Sequence, residues 1–182
     1  MELEVLIAYL ARRVPIKGRK ALQKLVYFCQ EAGVPVRASF RMHIYGPYSI
    51  EVAEELGEAI AKGIIKVGGD GVRFEPGLAC EKVVAAHAEG LAAHREKIEE
   101  VLQRLGGFAP INLELYATVH FIATALREVY GSVSEQKVLD EVLAAKGDKF
   151  SPTTVSKAYR SLVEWGWLAG DAHDLPAPRE AH

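Results

Sequence analysis

Apolar residues recur along this chain at two different periods, and the changes of period mark out its elements. Leu3, Leu6, Ile7 and Leu10 fall at helical spacing and predict a first helix of about three turns, ended by Pro15 and Gly18. Leu22, Leu25, Val26 and Cys29 share one face of a second helix, which Gly33 and Pro35 stop. From Val36 to Ile44 the period becomes two. Val36, Ala38, Phe40, Met42 and Ile44 alternate with Arg37, Ser39, Arg41 and His43, which predicts a strand with one buried face. Gly46-Pro47 turns the chain, and Ser49 is placed to cap a third helix whose inward face is Val52, Leu56, Ala59 and Ile60. The run IIKV-GGDG-VRF, residues 64–74, predicts a hairpin around a Gly/Asp-rich turn.

Three helices followed by a hairpin is the plan of a winged helix, and it is expected over residues 1–78. Residues 79–107 follow a different rule. Val84, Leu91, Ile98 and Leu105 repeat every seven residues, with Val101 and Leu102 beside them, and predict one long amphipathic connector helix closed by Gly106-Gly107 and Pro110. Residues 108–170 then repeat the first plan. Leu115, Val119, Ile122 and Leu126 mark one helix, and Ser134 caps a second with Val138, Leu139, Val142 and Leu143 inside. Ser151-Pro152 starts a third with Val155, Leu162 and Val163 inward. LVEWGWL at its end aligns with AIAKGII in the first half: a glycine stops each helix and an apolar pair starts a strand. The second wing is expected to be stunted, and residues 171–182 to be a disordered tail. The expected fold is therefore mainly α with small β-hairpins: two winged-helix-like units joined by a long amphipathic helix.

Composition limits the functions open to such a chain. Its 182 residues carry a formal net charge of −2, so any nucleic-acid surface must be a local patch. Two isolated cysteines, Cys29 and Cys80, fit a reducing compartment and neither a disulfide framework nor a zinc ribbon. The N-terminal apolar run has arginines after it, the wrong order for a signal peptide, and no run reaches the length of a membrane span. A cytoplasmic protein with no membrane segment is expected.

Four places carry candidate chemistry. Arg12, Arg13, Lys17, Arg19, Lys20 and Lys24 lie within thirteen residues, with no acid between Glu4 and Glu31. They suit phosphates or an acidic protein, or else form a solvated loop balanced by the acidic helix of the same domain. The third helix opens with Glu51, Glu54, Glu55 and Glu58, the wrong sign for a DNA groove. It is suited to docking a basic partner or to solubilising the surface. Tyr27, Tyr45 and Tyr48 stand around Gly46-Pro47 and suit a contact surface or core packing. The last helix offers Thr153, Thr154, Ser156, Lys157, Arg160 and Ser161, led in by Lys146 and Lys149 and opposed by Glu164. It is the better nucleic-acid reader of the two halves, unless that unit serves packing alone. His87 and His94, seven apart, cannot chelate one ion within a helix, and no acid or cysteine completes a set. No nucleotide loop, nucleophile elbow or zinc-protease motif occurs, so no catalytic residue, metal or cofactor is expected.

LQKLVYFCQEAG followed by an extended segment and YGPYS resembles the Panacea domain, the SocA-like antitoxin family, and within it the YwgA-like branch. The residues that carry the resemblance are Leu22, Gln23, Lys24, Leu25, Tyr27 and Phe28, then Tyr45, Gly46 and Pro47. It covers roughly the first 75 residues. Many members have a Trp and a Gly-Pro-Val where this chain has His43-Ile44-Tyr45 and Gly46-Pro47-Tyr48. The resemblance implies a mainly helical domain that acts as an antitoxin or adaptor, holding a toxin or delivering it to a protease.

The resulting expectation is a non-enzymatic, antitoxin-like adaptor. It would bind a protein partner through Tyr27, Tyr45, Gly46, Pro47, Tyr48, Glu51, Glu54 and Glu55. The alternative is a sequence-specific transcriptional regulator of the helix-turn-helix kind, contacting DNA through Arg19, Lys20, Lys149, Thr153, Thr154, Lys157 and Arg160. A homodimer along the connector seam is a further expectation.

Overall fold

A computed structural model describes residues 1–170; the expected tail, 171–182, lies outside the described residues. The chain is mainly helical with two small antiparallel hairpins. Residues 1–117 form one compact unit and the residues from Thr118 onward a second.

The first unit opens with α1 (Leu3–Arg13) and α2 (Arg19–Glu31). Both are almost wholly buried, from Val5 to Ala11 and from Ala21 to Cys29. Hairpin β1 (Arg41–His43) and β2 (Gly46–Tyr48) follows, with Met42 opposite Pro47 and Arg41 opposite Tyr48. Neither Ile44 nor Tyr45 has a positive φ, which excludes the mirror-image turns usual in such hairpins. Gly46 takes the left-handed position instead, at φ +84°. The expected strand over 36–44 is therefore shorter, and its buried side gives out. Val36 is buried, Ala38 and Phe40 are half-buried, and Met42 and Ile44 emerge into solvent.

Helix α3 (Ile50–Ala61) begins where expected: the Ser49 hydroxyl accepts the Val52 amide. Hairpin β3 (Ile65–Val67) and β4 (Phe74–Pro76) closes the three-helix segment. Ile16, between α1 and α2, exchanges backbone hydrogen bonds with Phe74 and ties this hairpin to the helices.

Residues 79–107 are three helices rather than the expected single connector: α4 (Cys80–Ala86), α5 (Ala88–Ala92) and α6 (Arg95–Leu105). The breaks fall at His87 and at Ala93-His94. All four seam residues are nevertheless buried: Val84, Leu91, Ile98 and Leu105. A straight α-helix drifts about 20° per seven-residue repeat, so an unbroken one would turn this seam away from a compact body. Two breaks re-aim it. Helix α4 packs on α1 and α6 on α2, so the seam is filled within the unit and offers no surface for the expected dimer.

Helix α7 (Pro110–Tyr130) contains the boundary between the units. The second unit continues with α8 (Glu135–Lys146) and α9 (Pro152–Glu164). Ser134 and Ser151 cap them through the amides of Lys137 and Thr154, as the sequence indicates. The alignment of AIAKGII with LVEWGWL has a structural counterpart. Gly63 and Gly166 take φ +69° and +75°, and the Ile64 and Trp167 amides reach back to the Ala59 and Leu162 carbonyls, both at 2.9 Å. No strand follows Gly166 among the described residues, so the strand expected there is absent.

Candidate functional site

The residues behind the family resemblance meet in space, and all but Tyr45 are buried. Gln23 and Lys24 point from α2 into the β1–β2 hairpin. The Gln23 amide nitrogen donates to the Ser49 carbonyl at 2.8 Å, and its oxygen accepts the Ser49 amide at 2.9 Å. Lys24, also buried, donates to the Pro47 carbonyl at 2.6 Å. Tyr27 lies edge-on to Phe28 and Phe40, and burial pushes its phenol pKa well up. Tyr27 is thus a core residue and not the surface contact expected of it. Gly46 and Pro47 are buried as well.

What this scaffold presents outward is largely apolar, with Arg41 and His43 among it. Met42 is 37% exposed, Ile44 73%, Tyr45 50%, Tyr48 36% and Ile50 64%. Five large apolar side chains in nine residues are thus left in water on one short hairpin and the start of α3. Lone exposed apolar residues are commonplace; here five lie together on one short stretch. The bracing is visible. Lys20 lies 4.2 Å from the centre of the Tyr45 ring while its ammonium bonds the buried Glu114 carboxylate at 2.8 Å. The His43 and Tyr48 rings stand 5.4 Å apart. Ser39, Met42, Tyr48, Ile50 and Glu51 line a groove of about 700 Å³ together with Arg41 and His43. At its edge Glu51 accepts the Ser49 hydroxyl and the Ser39 amide, which hold its carboxyl below the usual range. Ile44, Met42 and Ile50 were not singled out from sequence as contact residues. The signal was there: the alternation from Val36 runs on past the point where the core ends.

The basic cluster does not form an anion site. Arg12 pairs with Glu81 at 3.2 Å, and Arg13 forms a two-pronged pair with Glu99 at 2.7 and 2.9 Å. Glu99 also accepts the Tyr9 hydroxyl at 2.6 Å, and these bonds hold its carboxyl low. Lys17 donates to the Gly107 carbonyl, Lys20 pairs with Glu114, and Lys24 holds Pro47. Arg19 remains exposed, 6.0 Å from the centre of the Phe74 ring. The balancing acids come from residues 81–114, not from the acidic α3. The expected phosphate role of Lys20 is therefore replaced by a clamp on Glu114.

In the second unit Thr153, Thr154, Lys157 and Arg160 are exposed on α9. They do not make a bare cationic face. Glu135, at the start of α8, accepts from both the Ser156 hydroxyl and the Arg160 guanidinium, the latter at 3.2 Å. Thr154 shares a 2.7 Å hydrogen bond with the cap residue Ser151. Lys149 lies 5.8 Å from the centre of the Phe150 ring. Behind α9, His120 is buried, with Nε2 3.1 Å from the Trp167 carbonyl, and burial pushes its pKa down to about 4.

Among the described residues the remaining titratable groups gather into no second cluster. His87 Nδ1 faces the Val83 carbonyl at 2.9 Å, one turn back. Both cysteines are free and buried, with thiols pushed up by burial. No group of three or more His, Cys, Asp or Glu side chains is placed to hold a metal among the described residues. No described helix is long and apolar enough to cross a membrane. No protein-family model matches the chain, and no curated protein matches it.

Proposed function

We propose that this chain is a non-enzymatic adaptor that binds a protein partner through the β1–β2 hairpin and the start of α3. The observation that carries the reading is the exposed run Met42, Ile44, Tyr45, Tyr48 and Ile50 on a hairpin pinned from below by Gln23 and Lys24. Rigid aromatic and aliphatic anchors on a preorganised element are what a protein interface uses for affinity, because little side-chain freedom is lost on binding. The resemblance to the antitoxin family supports the same reading and makes a toxin the partner to try first. The three helices, the hairpin and the Ile16 bridge support a winged-helix-like plan for residues 1–78. In this reading the plan is a scaffold and its third helix stays out of any groove.

The test is a double comparison. Ile44→Asp and Ile50→Asp each place a charge on the exposed patch, where the fold has nothing to lose. Wild type and variants are immobilised, and co-purified proteins are quantified from the source lysate. Both variants should keep the wild-type melting temperature and lose the proteins that wild type enriches. Undiminished enrichment by both variants would overturn the reading.

The second reading, DNA contact through α9, rests on exposed Thr153, Thr154 and Lys157. It is the weaker of the two because Glu135 already engages Arg160 and Ser156.

A further inference from the structure

The outward stripe of α3 continues the apolar patch of the hairpin. Residues spaced four, seven, eight and eleven along a helix share a face. Here they are Ile50, Glu54, Gly57, Glu58 and Ala61, all exposed. Three features of this stripe work against the isolated fold. Ile50 leaves apolar surface in water beside Tyr48 and Met42. Glu54 and Glu58 have no ion-pair partner among the described residues, while the nearby Lys62 is engaged by Glu4 at 2.7 Å. Partial burial first, and then the charges of Glu4, Glu58 and Glu2, raise the pKa of Glu55 between them against the pull of Lys62. Gly57 sits mid-helix, where glycine is less favourable than alanine. A methyl group there would meet nothing within 4 Å, and the backbone is helical, so the fold itself does not call for glycine.

One kind of occupant removes all three. A helix laid across α3 can approach the bare backbone at Gly57 closely. Its apolar side then covers Ile50 and Tyr48, and its cations meet Glu54 and Glu58. A neutral or acidic partner would leave those carboxylates uncompensated or repelled. We propose that α3 and the β1–β2 hairpin are the docking face for a basic amphipathic helix of a partner protein, crossing at Gly57. The proposal rests on the reading of the hairpin as a protein-binding surface and adds the partner's charge, its secondary structure and its crossing point.

The probe is a fluorescent synthetic peptide of leucine and lysine at helical spacing, titrated with the full chain and followed by anisotropy. A second peptide carries glutamate in place of each lysine. The lysine peptide binds wild type and the glutamate peptide does not. Glu54→Lys with Glu58→Lys weakens the lysine peptide by at least about tenfold, the scale of losing two facing charge pairs. Gly57→Leu keeps or raises the melting temperature and weakens binding by a similar factor. Equal affinity of wild type and the double lysine variant overturns the proposal, as does binding untouched by Gly57→Leu. Concentration-dependent self-association that Ile50→Asp abolishes would assign the face to a second copy of this chain and also overturn it. The two readings fail separately. If Ile44→Asp abolishes enrichment from lysate but the lysine peptide does not bind wild type, the hairpin surface stands and the basic helix falls. If the peptide binds with the charge and Gly57 dependence above but the lysate enrichment is untouched, docking on α3 stands and the hairpin reading falls.

Discussion

Gln23 pairs with Ser49 as a neighbouring strand would, giving one donor and taking one at 2.8 and 2.9 Å. The pair fixes the end of the β1–β2 hairpin at the residue that caps α3, so one side chain sets the position of two elements. Gln23→Leu is close in size and leaves the buried Ser49 amide without its acceptor. The Ser49 carbonyl keeps the Ala53 amide at 3.3 Å. The expected cost is the desolvation of one orphaned amide, about 1–3 kcal/mol, read from urea unfolding. Faster hydrogen exchange confined to residues 41–49 would accompany it.

The helices and their caps were legible in the sequence because they rest on local chemistry. Ser49, Ser134 and Ser151 cap through their own side chains, and Gly63 and Gly166 end helices through their own backbone freedom. What was not legible depends on partners far along the chain. Lys20 and Lys24 look alike in sequence, yet one clamps Glu114 and the other a carbonyl of the hairpin. Arg13 reads as a phosphate ligand until Glu99, 86 positions on, closes over it. The seam of residues 79–107 was read correctly as apolar and incorrectly as one helix, because spacing alone does not say whether a straight partner or a rounded body fills it. Exposure was half legible: Tyr45 and Tyr48 are exposed, Tyr27 is core, and the exposure of Met42, Ile44 and Ile50 depends on where the core ends, which spacing does not give.

Acid should weaken the second unit through His120. Its folded-state pKa is near 4, below the unfolded value of 6.5, so the folded unit resists protonation that the unfolded chain accepts. Its influence is nil above pH 6.5, and stability then falls as pH drops from 6.5 towards 4. The full loss is about 3 kcal/mol. Trp165 and Trp167 are the only tryptophans and both lie in this unit, so tryptophan fluorescence follows it selectively. His120→Gln keeps a donor for the Trp167 carbonyl and should flatten the pH dependence across that window.

Replacing Gly57 by alanine tests the cost ascribed to that position without any partner. The new methyl meets nothing, and the helix gains intrinsic propensity. Thermal or urea unfolding should show stabilisation of about 0.5–1 kcal/mol. A neutral or negative effect would show that the fold does use the glycine.

Binding to DNA should be feeble and indifferent to α9. A gel-shift titration of a mixed-sequence duplex against wild type and against a variant carrying Lys157→Glu and Arg160→Glu should give matching, salt-abolished retardation. Phosphate contacts through those side chains would instead show as a clear loss in the variant and a shallower salt dependence.

Because Gln23 and Lys24 grip the hairpin by its backbone, at the amide and carbonyl of Ser49 and the carbonyl of Pro47, their hold is blind to what the hairpin displays. Side chains at 42, 44 and 50 can be exchanged without loosening the mount, whereas Tyr45 and Tyr48 also brace it. Of the residues that carry the resemblance, all but Tyr45 therefore belong to the handle. A library varied at Met42, Ile44 and Ile50 would be a direct way to retarget this chain.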